Sequence, residues 1–208
     1  MTSRQTIRAQ FATPIHVGRM GDDPLCSEVT KRLVAESRRG PSVEASVFGG
    51  WHGPPDLAAR VEPPWQQVTR GIVAHVRASY DAALELAGAE RPSDVEVRAQ
   101  GWGAVLRRGA YSVPHDHRDA HWSAVWYASA GDPPPASHPS AGCLAFVDPR
   151  GPIGPCGPAD VFPRHAVLAP ERGMIVVFPG WLCHFVHPYL GRRPRVSVAY
   201  NVMITARP

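Results

Sequence analysis

Three histidines and two aspartates lie within seven residues of the chain, in the stretch "HDHRDAH" that begins at His115. His115 and His117 are separated by one residue, and side chains two apart on a strand face the same side. Both imidazoles can therefore converge on one metal ion. Because two ligands do not hold a catalytic metal, we expect a third ligand from another part of the chain.

The best candidate for the third ligand is His184. It follows the apolar run "MIVVF" and a Pro–Gly turn, so it lies just after a predicted buried strand. A site with three protein ligands and open coordination positions is the arrangement that oxygen chemistry on iron requires. We therefore predict an iron site formed by His115, His117 and His184. The isolated histidines are interpreted as ordinary residues: His16, His52, His75, His138 and His165.

An anion receptor is predicted in the segment "RVSVAYN". Arg195 and Ser197 face one side of a strand, whereas Val196, Val198 and Tyr200 alternate with them. A guanidinium beside a hydroxyl can hold a carboxylate by two hydrogen bonds. If the apolar face packs under helices, Arg195 points into the interior, where an unpaired charge is costly. The pattern therefore predicts a bound anion.

Composition limits the class of protein. The chain has 208 residues, of which 44% are hydrophobic, as expected for one globular domain. It has no apolar run of the roughly 20 residues that span a bilayer, and its beginning, "MTSRQTIRAQF", does not resemble a secretory signal. We expect a soluble, cytoplasmic protein without a membrane partner. The four cysteines lack the spacing of zinc or redox motifs, so we expect free thiols.

The formal net charge of +4 invites comparison with nucleic-acid-binding proteins. The basic residues are nearly all arginines, with Lys31 the only lysine, and they are spread along the chain. A nucleic-acid interface needs a basic patch or stripe. We therefore expect no nucleic-acid partner.

The hydrophobic period changes near residue 95. Before it, "DDPLCSEVTKRLVAESRRG" and "PPWQQVTRGIVAHVRASYDAALELAG" have helical spacing, with Asp23 as the predicted N-cap of the first helix. After it come at least six short segments rich in Val, Ala and aromatic residues, separated by Gly and Pro turns. This order predicts an α+β protein with an antiparallel β-sandwich or barrel as its core and both helices packed on one sheet.

Seven segments in order resemble a bacterial and phage group within the iron- and 2-oxoglutarate-dependent oxygenases. They are "FATPIHV", "FGGWHGPPDL", "WGAVLRRGAYSVPHDH", "WSAVWY", "GCLAFVDPR", "FPGWLCHFVHPY" and "RVSVAYN". The resemblance implies a double-stranded β-helix, the jelly-roll fold shared with cupins. It implies one domain over residues 1–208, with an N-terminal strand and supporting helices over 1–92 and the jelly-roll core over 93–208.

The resemblance also implies the ligand register. In the wider superfamily the first two ligands read His-x-Asp, with a glycine six residues before the histidine. Gly109 precedes His115 by six residues, so the pattern maps to His115 and His117, with a histidine in the place of the carboxylate. The alternative register, His117 and Asp119, restores the carboxylate. We favour His115 and His117.

The segment "FPGWLCHFVHP" resembles the family's distal motif and assigns the third ligand to His184 rather than His187. Arg195 and Ser197 match the pair that holds the distal carboxylate of 2-oxoglutarate in relatives. The resemblance thus implies Fe(II), 2-oxoglutarate and O2 as cofactors, and hydroxylation of a C–H bond with release of succinate and CO2. A small molecule, an amino acid or a peptide or natural-product intermediate is the expected substrate. The oligomeric state, a homodimer included, stays open.

Two other classes of protein remain as alternatives. A cupin-like metal enzyme without 2-oxoglutarate also has a His-x-His pair and a later histidine. Cupins usually add a glutamate a few residues after the pair, and "RDAHWSAVWY" contains none. The second alternative is a non-catalytic metal-binding barrel, which turnover of 2-oxoglutarate to succinate would distinguish from an enzyme.

Overall fold

Two antiparallel β-sheets and two long helices make up the computed structural model, which describes residues 12–151 and 165–207. In chain order the elements are β1 His16–Arg19, α1 Asp23–Arg39, β2 Val47–Phe48, β3 Trp51–His52, a short 3-10 helix Leu57–Ala59, α2 Pro63–Ala87, β4 Val95–Leu106, β5 Tyr111–His115, β6 Trp122–Ser129, β7 Leu144–Val147, β8 His165–Leu168, β9 Met174–Pro179, β10 His184–Val186 and β11 Arg195–Ala206.

The strands from β4 to β11 form a jelly roll. The larger sheet has the order β1-β9-β6-β11-β4-β3, and the smaller sheet has the order β2-β5-β10-β7-β8. The chain passes repeatedly from one sheet to the other, and every strand pair is antiparallel. This is the two-sheet arrangement typical of jelly rolls. The predicted α+β jelly-roll fold is therefore confirmed.

Helix α1 packs on the outer face of the larger sheet through an apolar stripe that includes Val29 and Leu33, both fully buried. Its N-cap is Asp22, whose side chain accepts a hydrogen bond from the Leu25 backbone N–H at 2.9 Å. The predicted N-cap, Asp23, is instead the first helical residue. The N-cap thus lies one residue before the predicted one. Both carboxylates lie at the N-terminus of the helix, where the helix dipole favours a negative charge.

Helix α2 covers the same face of the larger sheet. Its buried residues Trp65, Val68, Ile72 and Val76 recur at helical spacing and join the same core cluster. The helix ends at Gly88, which adopts the left-handed conformation with φ of 62°, a conformation that glycine adopts without steric cost. Both helices thus bury the outer face of the sheet and leave its inner face toward the smaller sheet, as predicted.

The predictions about the cysteines and about membrane-spanning helices are tested only within the described residues. Cys26, Cys143 and Cys183 are free thiols, whereas Cys156 and Phe11, the first residue of the predicted opening strand, lie outside the described part of the chain. In that part, no helix combines the length and the apolar character needed to cross a membrane.

Two glycines of β4 allow the helices and the neighbouring strand to approach closely. A Cβ at Gly103 would lie 2.5 Å from a side-chain carbon of Leu33 on α1, and one at Gly101 would lie 2.4 Å from the ring of Tyr200. These contacts are shorter than carbon atoms tolerate, so any larger residue has to displace a buried neighbour.

We expect Gly103→Ala to lower the free energy of unfolding by about 1–3 kcal/mol through overpacking against Leu33. Denaturant titration followed by circular dichroism measures this change. Gly40→Ala is the matched control, because a Cβ there meets only the Glu36 carbonyl oxygen at 3.7 Å. An equal effect of both substitutions would contradict the packing argument.

Candidate active site

The three predicted ligands converge at one end of the smaller sheet. His115 is the last residue of β5, and His184, the first residue of β10, is its direct partner in the register of the two strands. One potential ligand atom from each of His115, His117 and His184 lies within 4.8 Å of those of the other two. These three residues form the histidine trio of the following paragraphs.

His117 reaches the trio from a loop and not from a strand, because β5 ends at His115. The loop is held where the His117 backbone N–H donates to the Gly180 carbonyl at 2.7 Å. The expected convergence therefore occurs, but the strand alternation that predicts it does not extend to His117. A backbone contact with the turn between β9 and β10 brings the loop to the site.

Two of the three imidazoles are oriented by backbone carbonyls. Nδ1 of His115 lies 2.7 Å from the Val113 oxygen, and Nδ1 of His184 lies 2.9 Å from the Leu182 oxygen. Because a carbonyl only accepts hydrogen bonds, Nδ1 carries the proton in each ring, and Nε2 keeps its lone pair. This is the arrangement in which protein histidines bind metals.

Burial keeps the histidine trio neutral. Burial, with a smaller contribution from the neighbouring imidazoles, lowers the pKa of His184 to about 3 and that of His117 to about 4. Burial also lowers the pKa of His115. At neutral pH the three rings are therefore uncharged, do not repel one another and are in the form that binds a metal.

Four other residues near this segment do not join the trio. Asp119, the alternative ligand, is exposed and lies outside the cluster, while Asp116 forms an ion pair with Arg118 at 2.9 Å. Nδ1 of His121 accepts a hydrogen bond from the Ile204 backbone N–H at 3.2 Å, so this ring is engaged at the end of the pairing between β6 and β11. The ring of His187 packs against Phe185.

A cavity between the two sheets connects the histidine trio with the predicted anion receptor. Arg195 and Ser197 line it from β11, and the trio lines it from the smaller sheet. Val196, Val198 and Tyr200 face the opposite way, into the core under the helices. Among the described residues, the lining of the cavity contains no carboxylate.

Arg195 is a buried cation without a carboxylate partner in the described part of the chain. The residue is 1% exposed, and its Nε has no hydrogen-bond partner among the described residues. Burial lowers the pKa of its guanidinium, although arginine stays protonated in proteins. A buried charge of this kind is expensive unless it is paired, so the geometry favours an anionic ligand.

Tyr127 is a site residue that the sequence analysis does not identify. Its ring lies under the Arg195 guanidinium, 4.9 Å from the ring centroid, and the residue is the register partner of Ser197 across β6 and β11. Its buried hydroxyl has no hydrogen-bond partner among the described residues. Burial raises its pKa, so the hydroxyl stays a donor. In the structure Tyr127 shares the cavity face of β6 with Ser123, two positions of the same parity.

The segment that carries the site is similar to one family of known proteins. Residues 100–201, which include all five predicted site residues, match a family model described as "Putative 2OG-Fe(II) oxygenase". The matched region, just under half of the chain, is similar to the 2-oxoglutarate/Fe(II) oxygenase family. Members of this family use Fe(II), 2-oxoglutarate and O2. No match was found among curated protein sequences.

Solved structures of 2-oxoglutarate/Fe(II) oxygenases have the same fold. A prolyl-4-hydroxylase from Pseudomonas putida is 17% identical with a TM-score of 0.58, and the match covers 92% of each chain. HygX from Streptomyces hygroscopicus, with nickel and 2-oxoglutarate bound, is 14% identical with a TM-score of 0.56, covering 91% of this chain and 82% of that one. The epimerase SnoN from nogalamycin biosynthesis is 15% identical with a TM-score of 0.61, covering 94% and 79%.

The pKa values predict how the stability of the metal-free protein depends on pH. Below the ordinary histidine pKa of 6.5, the unfolded chain binds protons at these positions, whereas the folded state binds them only near pH 4 at His117 and near pH 3 at His184. Stability should therefore fall as the pH decreases from 6.5 to about 4, by up to about 1.4 kcal/mol per pH unit for each histidine.

Denaturant titrations between pH 7 and 4 measure this slope. His117→Gln and His184→Gln should each make it shallower, and His138→Gln, which removes an exposed imidazole, is the matched control. The same slope in the wild type and in both site variants would contradict the assignment of the shift to these two rings.

Proposed function

We propose that the chain is an Fe(II)- and 2-oxoglutarate-dependent oxygenase that hydroxylates a C–H bond of a small molecule, an amino acid or a peptide or natural-product intermediate. Succinate and CO2 are the other products. The observation that supports it most is the placement of the histidine trio and the unpaired Arg195 on one cavity. The proposal treats residues 1–208 as one domain, with residues 1–92 supporting the core over 93–208.

His115, His117 and His184 would hold the iron. Three neutral imidazoles, of which His115 and His184 have free Nε2 lone pairs, suit a divalent transition metal. Bound iron and 2-oxoglutarate would supply activation of O2 and the oxidation of the substrate C–H bond. The chain itself contributes the ligands, their orientation through the Val113 and Leu182 carbonyls, and the walls of the cavity.

Arg195, Ser197 and Tyr127 would hold the distal carboxylate of 2-oxoglutarate. The guanidinium offers charge and two donors in a plane, and the two hydroxyls, on adjacent strands in register, offer further donors. This ligand satisfies the polar groups that otherwise lie buried without partners. Arg195 and Ser197 would thus fix the cosubstrate, and Tyr127 would extend the cradle over it.

The charges of the cosubstrate fit this arrangement because it carries an anion at both ends. One end would meet the metal and the other would meet Arg195, and no carboxylate of the described residues competes inside the cavity. A cupin-like enzyme without 2-oxoglutarate, or a non-catalytic barrel, leaves the buried guanidinium without a role. This residue is therefore the reason to favour the oxygenase over both alternatives.

Solved structures with a similar fold support the choice of substrate class. The solved structures include a prolyl hydroxylase from Trichoplax adhaerens in complex with a peptide fragment and HygX with hygromycin B bound, so a peptide and a small molecule are both represented. No nucleic-acid or membrane partner is proposed, and a cytoplasmic location stays a prediction. Many surface arginines form ion pairs, such as Arg19 with Glu171 and Arg193 with Asp132. Because their charge is balanced by neighbouring carboxylates, these arginines do not form a basic stripe for nucleic acid.

Metal binding tests the ligand set. We expect His184→Ala to abolish binding of Ni(II) in calorimetric titration, because it removes one of three ligands. His187→Ala should leave binding measurable, since this ring packs against Phe185 outside the trio. Equal losses in both variants would show that the distal ligand is wrong. Loss in Asp119→Ala with retention in His115→Ala would reverse the register.

Cosubstrate binding tests the role of Arg195. Arg195→Met should weaken 2-oxoglutarate binding to the Ni(II)-loaded protein by about 10–100-fold, as expected for a lost charge-assisted pair of about 1.5–3 kcal/mol. The same variant should leave the ligand-free protein as stable as the wild type or more stable, because it removes an unpaired buried charge. Calorimetry and thermal melting measure the two effects.

Arg98→Met is the matched control for this experiment, since Arg98 lies on the adjacent strand β4 and its side chain is 76% exposed. Formation of succinate from 2-oxoglutarate with Fe(II) and O2 tests the reaction itself. Unchanged 2-oxoglutarate affinity in Arg195→Met would refute the proposed cosubstrate site.

A further inference from the structure

One imidazole of the histidine trio lacks the hydrogen bond that orients the other two. His115 and His184 each bond a backbone carbonyl through Nδ1, whereas the His117 ring has no hydrogen bond to any of the described residues. Metal-binding histidines almost always use their second nitrogen in this way, because the bond fixes the tautomer and the direction of the ring. Another contact has to hold the His117 ring.

Outside the trio, the aromatic ring in contact with His117 is that of Trp102. The two ring centroids are 5.6 Å apart, and the planes are tilted by 57°, a geometry in which aromatic rings attract one another. Trp102 lies on β4 opposite Ala199 of β11, and it lines the cavity from the larger sheet. The position of this indole therefore limits the positions that the His117 ring can take.

Trp102 is itself held by His52, a residue that the sequence analysis interprets as ordinary. The imidazole stacks on the indole at 5.4 Å with planes 20° apart, and the residue is 7% exposed. Its Nδ1 lies 2.9 Å from the Gly53 oxygen, and its backbone N–H donates to the Ser42 hydroxyl at 3.0 Å. The ring of His52 is thus a fixed surface for Trp102.

We propose that Trp102, supported by His52, is the positioning residue for His117, and that ring packing does for this ligand what a carbonyl does for the other two. The inference rests on the proposed function in one respect, since it takes the trio as the metal site. It gives a role to the two-residue strand β3, which pairs with β4 and places His52 beside Trp102.

The test measures binding and visible absorption of Co(II), whose spectrum reports ligand geometry without turnover. Trp102→Leu should weaken Co(II) binding about tenfold or more, the loss typical of removing a residue that orients a ligand, and should change the spectrum. His52→Ala should shift both in the same direction by a smaller amount. His52→Phe keeps a ring against Trp102 and should restore wild-type behaviour.

Two controls separate positioning from general damage. Trp122→Leu makes the same change as Trp102→Leu on the core-facing side of the larger sheet and should leave the Co(II) spectrum unchanged. In the His117→Asp background, Trp102→Leu should change Co(II) affinity by less than about twofold, because no ring remains to be positioned. A loss that is equal in both backgrounds would overturn the inference.

Failure of this inference is distinguishable from failure of the proposed function. If the wild type does not bind Co(II), the metal site itself is wrong. If the wild type binds Co(II) and the Trp102→Leu and His52→Ala variants match its affinity and spectrum, the trio stands and only the positioning role is refuted. Should Trp102→Leu fail to fold by circular dichroism, the two His52 variants decide the question by the same readouts, because His52→Ala has to change affinity and spectrum and His52→Phe has to restore both.

Discussion

Strand β11 has to satisfy two environments at once, and the rest of the structure depends on this constraint. Val196 and Val198 are fully buried against the helices, while Arg195 and Ser197 face the cavity on the other side. A shift of one residue in the pairing of β11 would place the guanidinium in the apolar core and expose the valines. The twelve-residue register with β4 prevents this shift, so the apolar packing of one face fixes the charge on the other.

A few buried polar groups of the cavity lower the stability of the folded protein. Arg195 and Tyr127 lie in the interior with unpaired donors, and such groups destabilise a folded protein unless a ligand completes their hydrogen bonds. The extensive core between the helices and the larger sheet offsets this cost. Stability and function are thus placed on opposite faces of the same sheet, which explains why the polar groups tolerate burial without a partner from the protein.

The long periodic elements could be predicted from the sequence, because their environment is repeated along many residues. The alternation in "RVSVAYN" identifies both faces of β11, and the helical stripe in α2 identifies its buried residues. The contacts made by irregular segments could not be predicted. His117 joins the trio through a loop held by Gly180. The two-residue alternation that predicts its direction applies to a strand, and β5 ends at His115, before His117.

The positions of two single residues could not be predicted from the sequence either, because their segments show no usable periodicity. In "WSAVWY" aromatic side chains occur on both faces of β6, so periodicity does not separate Tyr127 in the cavity from Trp126 in the core. His52 lies on a strand of two residues, too short to show any period. Its proximity to Trp102 depends on the pairing of β3 with β4, a contact between segments about 50 residues apart that no local pattern records.

The lining of the described cavity contains no carboxylate, and this couples the binding of metal to the binding of cosubstrate. A divalent metal on three neutral imidazoles keeps its full charge, and Arg195 adds another positive charge on the same cavity. A family member with a carboxylate ligand cancels part of this charge within the protein. In the proposed site the compensation would come from the cosubstrate, whose two carboxylates would meet the metal and the guanidinium. Metal and 2-oxoglutarate should therefore strengthen each other's binding, because each reduces the electrostatic cost that the other meets.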